Sequence, residues 1–281
     1  MLVNMNDVLL PARNGGYAVG FFNAVNVEMA RAVIETAEEL HAPVMIGTAE
    51  ILLPFTELNL VADYLIPMAK KAKVPVCVHY DHGLTIERCH EAMELGFTSI
   101  MYDCSTADYE TNVTSLASIT KECHARNITV EGELGHVGDN AGAGKLAHPS
   151  DYYTDPEMAG DFVKKTDVDA LAVAVGNAHG DYKFPPKLDF DRIKVIAQST
   201  KIPLVLHGGS GLSEHDFKTA IREGIAKVNI FTDIDKAGRN GIAEGISAGE
   251  NVMTKLMDYE IRAMKEAVKQ KILLFGSDGK A

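Results

Sequence analysis

The chain has 281 residues, 46% of them hydrophobic and 23% charged, with a formal net charge of −12. This composition suits a globular protein with a substantial core, and the acidic balance argues against partners such as nucleic acid or an anionic membrane surface. There is no run of about 18 apolar residues, no signal-peptide pattern in MLVNMNDVLLPARNGG, and no C-x-x-C pair among Cys77, Cys89, Cys104 and Cys123, so a cytoplasmic protein with free, buried thiols is expected.

From the N-terminus onward, short β-branched runs alternate with longer amphipathic segments. The candidate strands are residues 17–22 (YAVGFF), 42–47 (APVMIG), 75–80 (PVCVHY) and 98–103 (TSIMYD), then 128–134 (ITVEGEL), 169–175 (DALAVAV), 203–208 (PLVLHG) and 226–231 (AKVNIF). Helical patterns lie between them, such as VEMARAVIETAEELH (27–41) and TIERCHEAMELG (85–96), the second closed by Gly96. Nearly continuous apolar strands separated by helices predict a parallel sheet covered on its outer face. Eight strand–helix units predict an α/β fold, a (β/α)8 TIM barrel forming a single domain over 1–281, with a charged helical extension from about 233. That extension either completes the barrel wall or builds a subunit interface. A doubly wound open sheet is the alternative, but no G-x-G-x-x-G opens a helix near the N-terminus.

In such a barrel the chemistry sits at the carboxyl ends of the strands. Read there, the third strand ends in Asp81 and His82, the fourth in Asp103, and the fifth in Glu131 and Glu133. His179 follows the sixth strand and His207 ends the seventh. One such histidine is most often structural; three on different strand tops, beside carboxylates, suggest a metal centre. Three neutral imidazoles with an open fourth position suit catalytic zinc. His79 is the weaker candidate on its strand. It shares a face with Asp81, and strand alternation puts His82 opposite unless the turn re-aims it. His41, His90, His124, His136, His148 and His215 fall mostly on helices or loops and read as solvated or supporting. The stretches HGGSG and NIFTD add a candidate phosphate site: glycine backbone amides, the Ser210 hydroxyl, Asn229, Thr232 and a helix N-terminus opening at Asp233.

The stretches VHYDHG, VEGELGHVG, YTDP, VDALAVAVGNAHGDYKFPPKLDF, IPLVLHGGSGL and GIAKVNIFTDI closely resemble the class II, zinc-dependent ketose-bisphosphate aldolases, which include the fructose- and tagatose-bisphosphate enzymes. The similarity runs from GFFNAVNVEMARAV to the closing LFGSDGK. The resemblance implies reversible aldol cleavage of a sugar phosphate, with one Zn2+ on His82, His179 and His207 and Asp81 exchanging the C4 hydroxyl proton. It also implies that Gly180, Gly208, Gly209, Ser210, Asn229, Ile230, Phe231 and Thr232 hold dihydroxyacetone phosphate, with Na+ or K+ near the phosphate. Asp103 and Glu133 match carboxylates near a second metal position, and a homodimer or homotetramer is implied.

The chain departs from that pattern twice. It reads Gly176-Asn177-Ala178-His179-Gly180 where GTxHG is usual, a change that leaves the sugar open. The loop after the fifth strand reads GDNAGAGK where a glutamate-bearing GGxED is usual, which makes Asp139 the candidate C3 proton carrier and His136 a fallback. Among rival readings, a Schiff-base aldolase needs a strand-top lysine, whereas Lys227 lies low on the eighth strand. A barrel hydrolase needs an H-x-H pair on the first strand. A metal-free isomerase or sugar-phosphate binding protein leaves the three histidines unexplained.

Overall fold

The computed structural model describes residues 1–138, 152–180 and 186–281. A two-residue strand β1 (Leu2–Val3) and a helix α1 (Met5–Gly15) come first. Eight strands follow: β2 (Val19–Asn23), β3 (Val44–Ala49), β4 (Val76–Gly83), β5 (Ser99–Tyr102), β6 (Thr129–Leu134), β7 (Ala170–Val173), β8 (Leu204–Leu206) and β9 (Ile225–Ile230). All pair in parallel in the order β4-β3-β2-β9-β8-β7-β6-β5, and β4–β5 pairing closes the ring. The (β/α)8 barrel expected from the alternation is the observed fold, and each of the eight candidate segments supplies one strand.

Helices α2 (Val27–Glu39), α3 (Leu58–Lys71), α4 (Ile86–Leu95), α5 (Tyr109–His124), α6 (Pro156–Thr166), α7 (Phe190–Thr200) and α8 (Glu214–Glu223) wrap the ring. The C-terminal extension forms α9 (Thr232–Ser247) and α10 (Met253–Phe275), which pack on each other, while α10 also covers α2 and closes the wall. Gly96 ends α4 in the left-handed region at φ 92°, as its position in the pattern predicts. Among the described residues, no helix is long and apolar enough to cross a membrane.

Two apolar regions hold the fold. The larger lies between the outer strand faces and the helices, and includes Val76, Val78 and Tyr80 of β4. The smaller fills the barrel's lower interior, where Met5, Val8, Leu9 and Ala12 of α1 meet Phe21, Met45, Cys77, Ala170 and Val205. Helix α1 therefore plugs the amino end of the barrel. The strand–helix count did not include it. Its marks are local: Asn4 and Asp7 form a capping box, and Gly16 ends the helix at φ 68°. Strand β1 docks beside the start of β4, with Leu2 opposite Val76.

Candidate active site

Asp81 and His82 both reach the mouth of the barrel because β4 breaks its alternation. His82 has φ 43°, a left-handed conformation uncommon outside glycine, and the β4–β5 register slips between Tyr80 and Gly83. The turn thus re-aims His82, the alternative left open by spacing. Glu50 clamps this turn: its Oε2 accepts from Leu84 N at 2.7 Å and from Tyr80 Oη at 3.1 Å.

His82, His179 and His207 converge, each offering one ring nitrogen within 4.8 Å of the others. Their ring centroids lie 4.5 to 5.6 Å apart. The outward nitrogens of two of them are engaged. His82 Nδ1 is 2.8 Å from Asp103 Oδ2, and His207 Nε2 is 2.8 Å from Glu131 Oε1. The inward nitrogens, His82 Nε2 and His207 Nδ1, are buried and make no hydrogen bond. Buried imidazole nitrogens left bare in a converging set fit a tetrahedral metal with N ligands. Burial and the two neighbouring rings push His179 down to about 3, so it stands neutral and ready to ligate. Burial also opposes a proton on His82, but Asp81, Asp103 and Glu133 overcome it and raise its pKa to about 10. The carboxylates therefore favour a cation at this spot.

Asp81 is buried, with Oδ2 accepting from Asn23 Nδ2 and Oδ1 from Asn229 Nδ2, both at 3.1 Å. Burial works against its charge, yet His82, His79 and Lys227 together hold it well below the usual carboxylate range. Asp81 is thus an oriented, ionised base 3.7 Å from His79 Nε2. Asn23 went unmarked in the sequence, although it too ends a barrel strand.

Asp103 and Glu133 both border His82, with oxygens inside the same 4.8 Å limit. Asp103 Oδ2 is committed to His82 and Oδ1 accepts from Ser105 N at 3.0 Å. Glu133 Oε1 accepts from Val137 N at 2.9 Å, while Oε2 makes no hydrogen bond. Burial, and then the Asp103 charge, push Glu133 up to about 8. Glu131, read as a strand-top carboxylate, instead points into the barrel and pairs with Lys227 at 2.7 Å.

Gly180, Ser210 and Thr232 line a cavity of about 370 Å³ together with Asp81, His82 and His179. Gly208 has φ 63°, and a Cβ there would meet Ala178 O at 1.9 Å, so glycine alone is accommodated. Gly209 N donates to Asn229 O at 3.1 Å, and Asp233 N donates to Ser210 Oγ at 3.3 Å, joining the glycine loop to the start of α9. Asn229 spends its amide on Asp81, leaving its Oδ1 without a hydrogen bond. Ile230 and Phe231 border the same cavity. His136 lines it as well, with Nδ1 3.0 Å from Ser105 Oγ.

Asn177, the departure beside His179, has a physical role. Its Oδ1 accepts from Val175 N at 2.8 Å and its Nδ2 donates to His207 O at 3.0 Å, so it ties the loop after β7 to the strand end bearing His207. Of the remaining histidines, His90 and His124 pair with Glu122 and Asp169 on the outer surface. Asp139 and His148 lie outside the described residues. Cys77, Cys89, Cys104 and Cys123 are free thiols, and Cys104 alone of them is not fully buried.

Comparison with known proteins agrees in family. The family model described as class-II fructose-bisphosphate aldolase matches residues 3–280. A fructose-bisphosphate aldolase of Staphylococcus epidermidis is 36% identical over 100% of this chain and 99% of its own. The protein YdjI of Escherichia coli K12, described as uncharacterized, is 41% identical over 96% of both chains. The crystal structure of the YdjI aldolase from that organism superposes with a TM-score of 0.91, at 38% identity over 100% of each chain.

Proposed function

Since the chain belongs to the class-II fructose-bisphosphate aldolase family, we propose that it reversibly cleaves a ketose phosphate between C3 and C4, giving dihydroxyacetone phosphate and an aldehyde. One zinc ion per chain is held by His82, His179 and His207. The observation that carries this reading is the convergence of three imidazoles, two with bare buried nitrogens, beside an ionised and doubly hydrogen-bonded Asp81. When bound, the zinc supplies Lewis-acid polarisation of the ketose carbonyl, a contribution of several kcal/mol in such sites.

The chain's own residues do the rest. Asp81 accepts the C4 hydroxyl proton as the C3–C4 bond breaks and the electron pair stays with the C3 fragment. Asn23 and Asn229 fix the carboxylate in the cavity lining. Gly180, Gly208, Gly209, Ser210, Thr232 and the amino end of α9 receive the phosphate, with Asn229, Ile230 and Phe231 beside it. There backbone N–H groups and the helix dipole favour an anion, and a Na+ or K+ ion accompanies it. Asp103 and Glu133 border a second metal position. A proton then returns to C3, with Asp139 as its carrier. The working unit is a single-domain barrel that assembles as a homodimer or homotetramer in the cytoplasm.

The test is aldol cleavage over a panel of ketose mono- and bisphosphates, with and without a chelator. Zinc-dependent release of dihydroxyacetone phosphate from one of them supports the reading. A metal-free protein that binds sugar phosphates without cleaving any sinks it.

A further inference from the structure

Below the three histidines a second polar group is sealed inside the barrel, and the reaction proposed above makes no direct use of it. Lys227 of β9, Glu131 of β6, His79 of β4 and Ser99 of β5 are each 0% exposed. The Lys227 ammonium donates to Glu131 Oε2 at 2.7 Å, lies 3.5 Å from His79 Nε2, and stands 4.5 Å over the Phe21 ring. His79 Nδ1 in turn is 2.7 Å from Ser99 Oγ. A one-residue register slip between β8 and β9 passes over Ala226 and sets Lys227 opposite Val205.

Burying a lysine and a glutamate costs several kcal/mol per ion, and well-packed apolar side chains of similar volume commonly serve stability as well or better. Packing alone therefore does not account for the pair. Its geometry does. The second oxygen of Glu131 lies 2.8 Å from His207 Nε2. A carboxylate held by an ammonium accepts hydrogen bonds and donates none, so the proton between them sits on His207 Nε2. That leaves His207 Nδ1 bare, 3.6 Å from Glu133 Oε2 and without a hydrogen bond.

We infer that Lys227 and Glu131 are positioning residues of the metal centre: Lys227 fixes the Glu131 carboxylate, and Glu131 holds His207 in the tautomer that aims Nδ1 at His82 and His179. The inference rests on the zinc reading of those three histidines. It gives the buried lysine a task other than nucleophilic chemistry, for which its ammonium is already spent on Glu131 and His79.

Two readouts test this on the full-length protein. Nitrogen-15 spectra of the histidine rings in metal-stripped protein report the tautomer of His207, and competition with a chromophoric chelator reports zinc affinity. The wild type is expected to carry the His207 proton on Nε2 alone. The double variant Lys227→Met, Glu131→Leu removes both charges together and keeps the interior filled, so it retains the fold. It is expected to show mixed His207 tautomers and zinc affinity lowered about 10–100-fold, the usual effect of removing a ligand's hydrogen-bond partner. Lys227→Met alone strands a buried carboxylate and is expected to unfold more readily; the double variant decides the question whatever the single one does. Wild-type zinc affinity with an unchanged His207 tautomer in the double variant would overturn the positioning role. If the wild type itself takes up no zinc, the metal reading fails instead, and the tautomer measurement still judges the Glu131 contact.

Discussion

His82 of β4 and Asp103, just beyond β5, face each other across a strand pairing, with Nδ1 of one 2.8 Å from Oδ2 of the other. The carboxylate accepts a hydrogen bond from Nδ1 and turns Nε2, which has no hydrogen-bond partner, toward the other two histidines. Replacing Asp103 by alanine should therefore loosen the ring and weaken zinc binding about 10–100-fold, with Asp103→Asn less severe. Chelator competition measures both; unchanged affinity in the alanine variant would mean that the contact is incidental.

The same histidine sets a pH dependence. Without metal, His82 holds its proton up to about 10, while burial and the neighbouring rings keep His179 neutral above about 3. Zinc must displace the His82 proton, so affinity should rise with pH, by about tenfold per unit for one released proton, and level off near 10. A flat profile between pH 6 and 9 would show that His82 is already neutral in the unloaded site.

Removing the proton acceptor should separate two half-reactions. Asp81→Ala is expected to lose carbon–carbon cleavage by about 10²–10⁴ while keeping zinc, since general acid–base groups contribute on that scale. Proton exchange at C3 of dihydroxyacetone phosphate should survive better, because it needs no acceptor for the C4 proton. Equal loss of both would assign Asp81 to upkeep of the metal site.

The identity of the C3 proton carrier is open to a direct comparison. Asp139→Asn is expected to slow that exchange with little change in zinc content. His136 already lines the cavity, with Nδ1 held toward Ser105. Unchanged exchange in Asp139→Asn together with slowed exchange in His136→Asn would transfer the role to His136.

Gly208 offers a test of the phosphate loop. An alanine there combines a φ of 63° with a Cβ 1.9 Å from Ala178 O. Strain of this kind costs about 1–3 kcal/mol before the clash is relieved. Thermal unfolding should register the loss, and dihydroxyacetone phosphate binding should weaken beyond it.

The barrel was legible because its signal is local. Buried parallel strands read as continuous apolar runs, and helices announce their stops, as Gly96 does. Strand ends then pointed to Asp81, His82, His179 and His207; the fold brings the three histidines together and puts Asp81 in the same cavity as His82 and His179. The unread residues depend on partners far away in sequence. Asn23 matters because Asp81, 58 residues on, needs a donor. Asn177 matters because the carbonyl of His207 lies within its reach. Glu131 looked like another strand-top acid until closure of the ring set Lys227 against it, 96 residues away. His82 was ambiguous because alternation is a rule for regular strands, and the chain leaves that rule at φ 43°.

The helix that stoppers the amino end of the barrel also dictates traffic. Among the described residues, Met5, Leu9 and Ala12 fill the lower interior, and the cavity lined by Asp81, His82 and His179 lies at the opposite end. Whatever sits deepest, against the histidines, cannot depart while another fragment stands between it and solvent. In the proposed reaction dihydroxyacetone phosphate is the fragment that stays on the histidine side, so it is expected to leave last in cleavage and to enter first in synthesis. Product-inhibition patterns at steady state should accordingly be those of an ordered sequence, with dihydroxyacetone phosphate competing against the cleaved sugar and the aldehyde not.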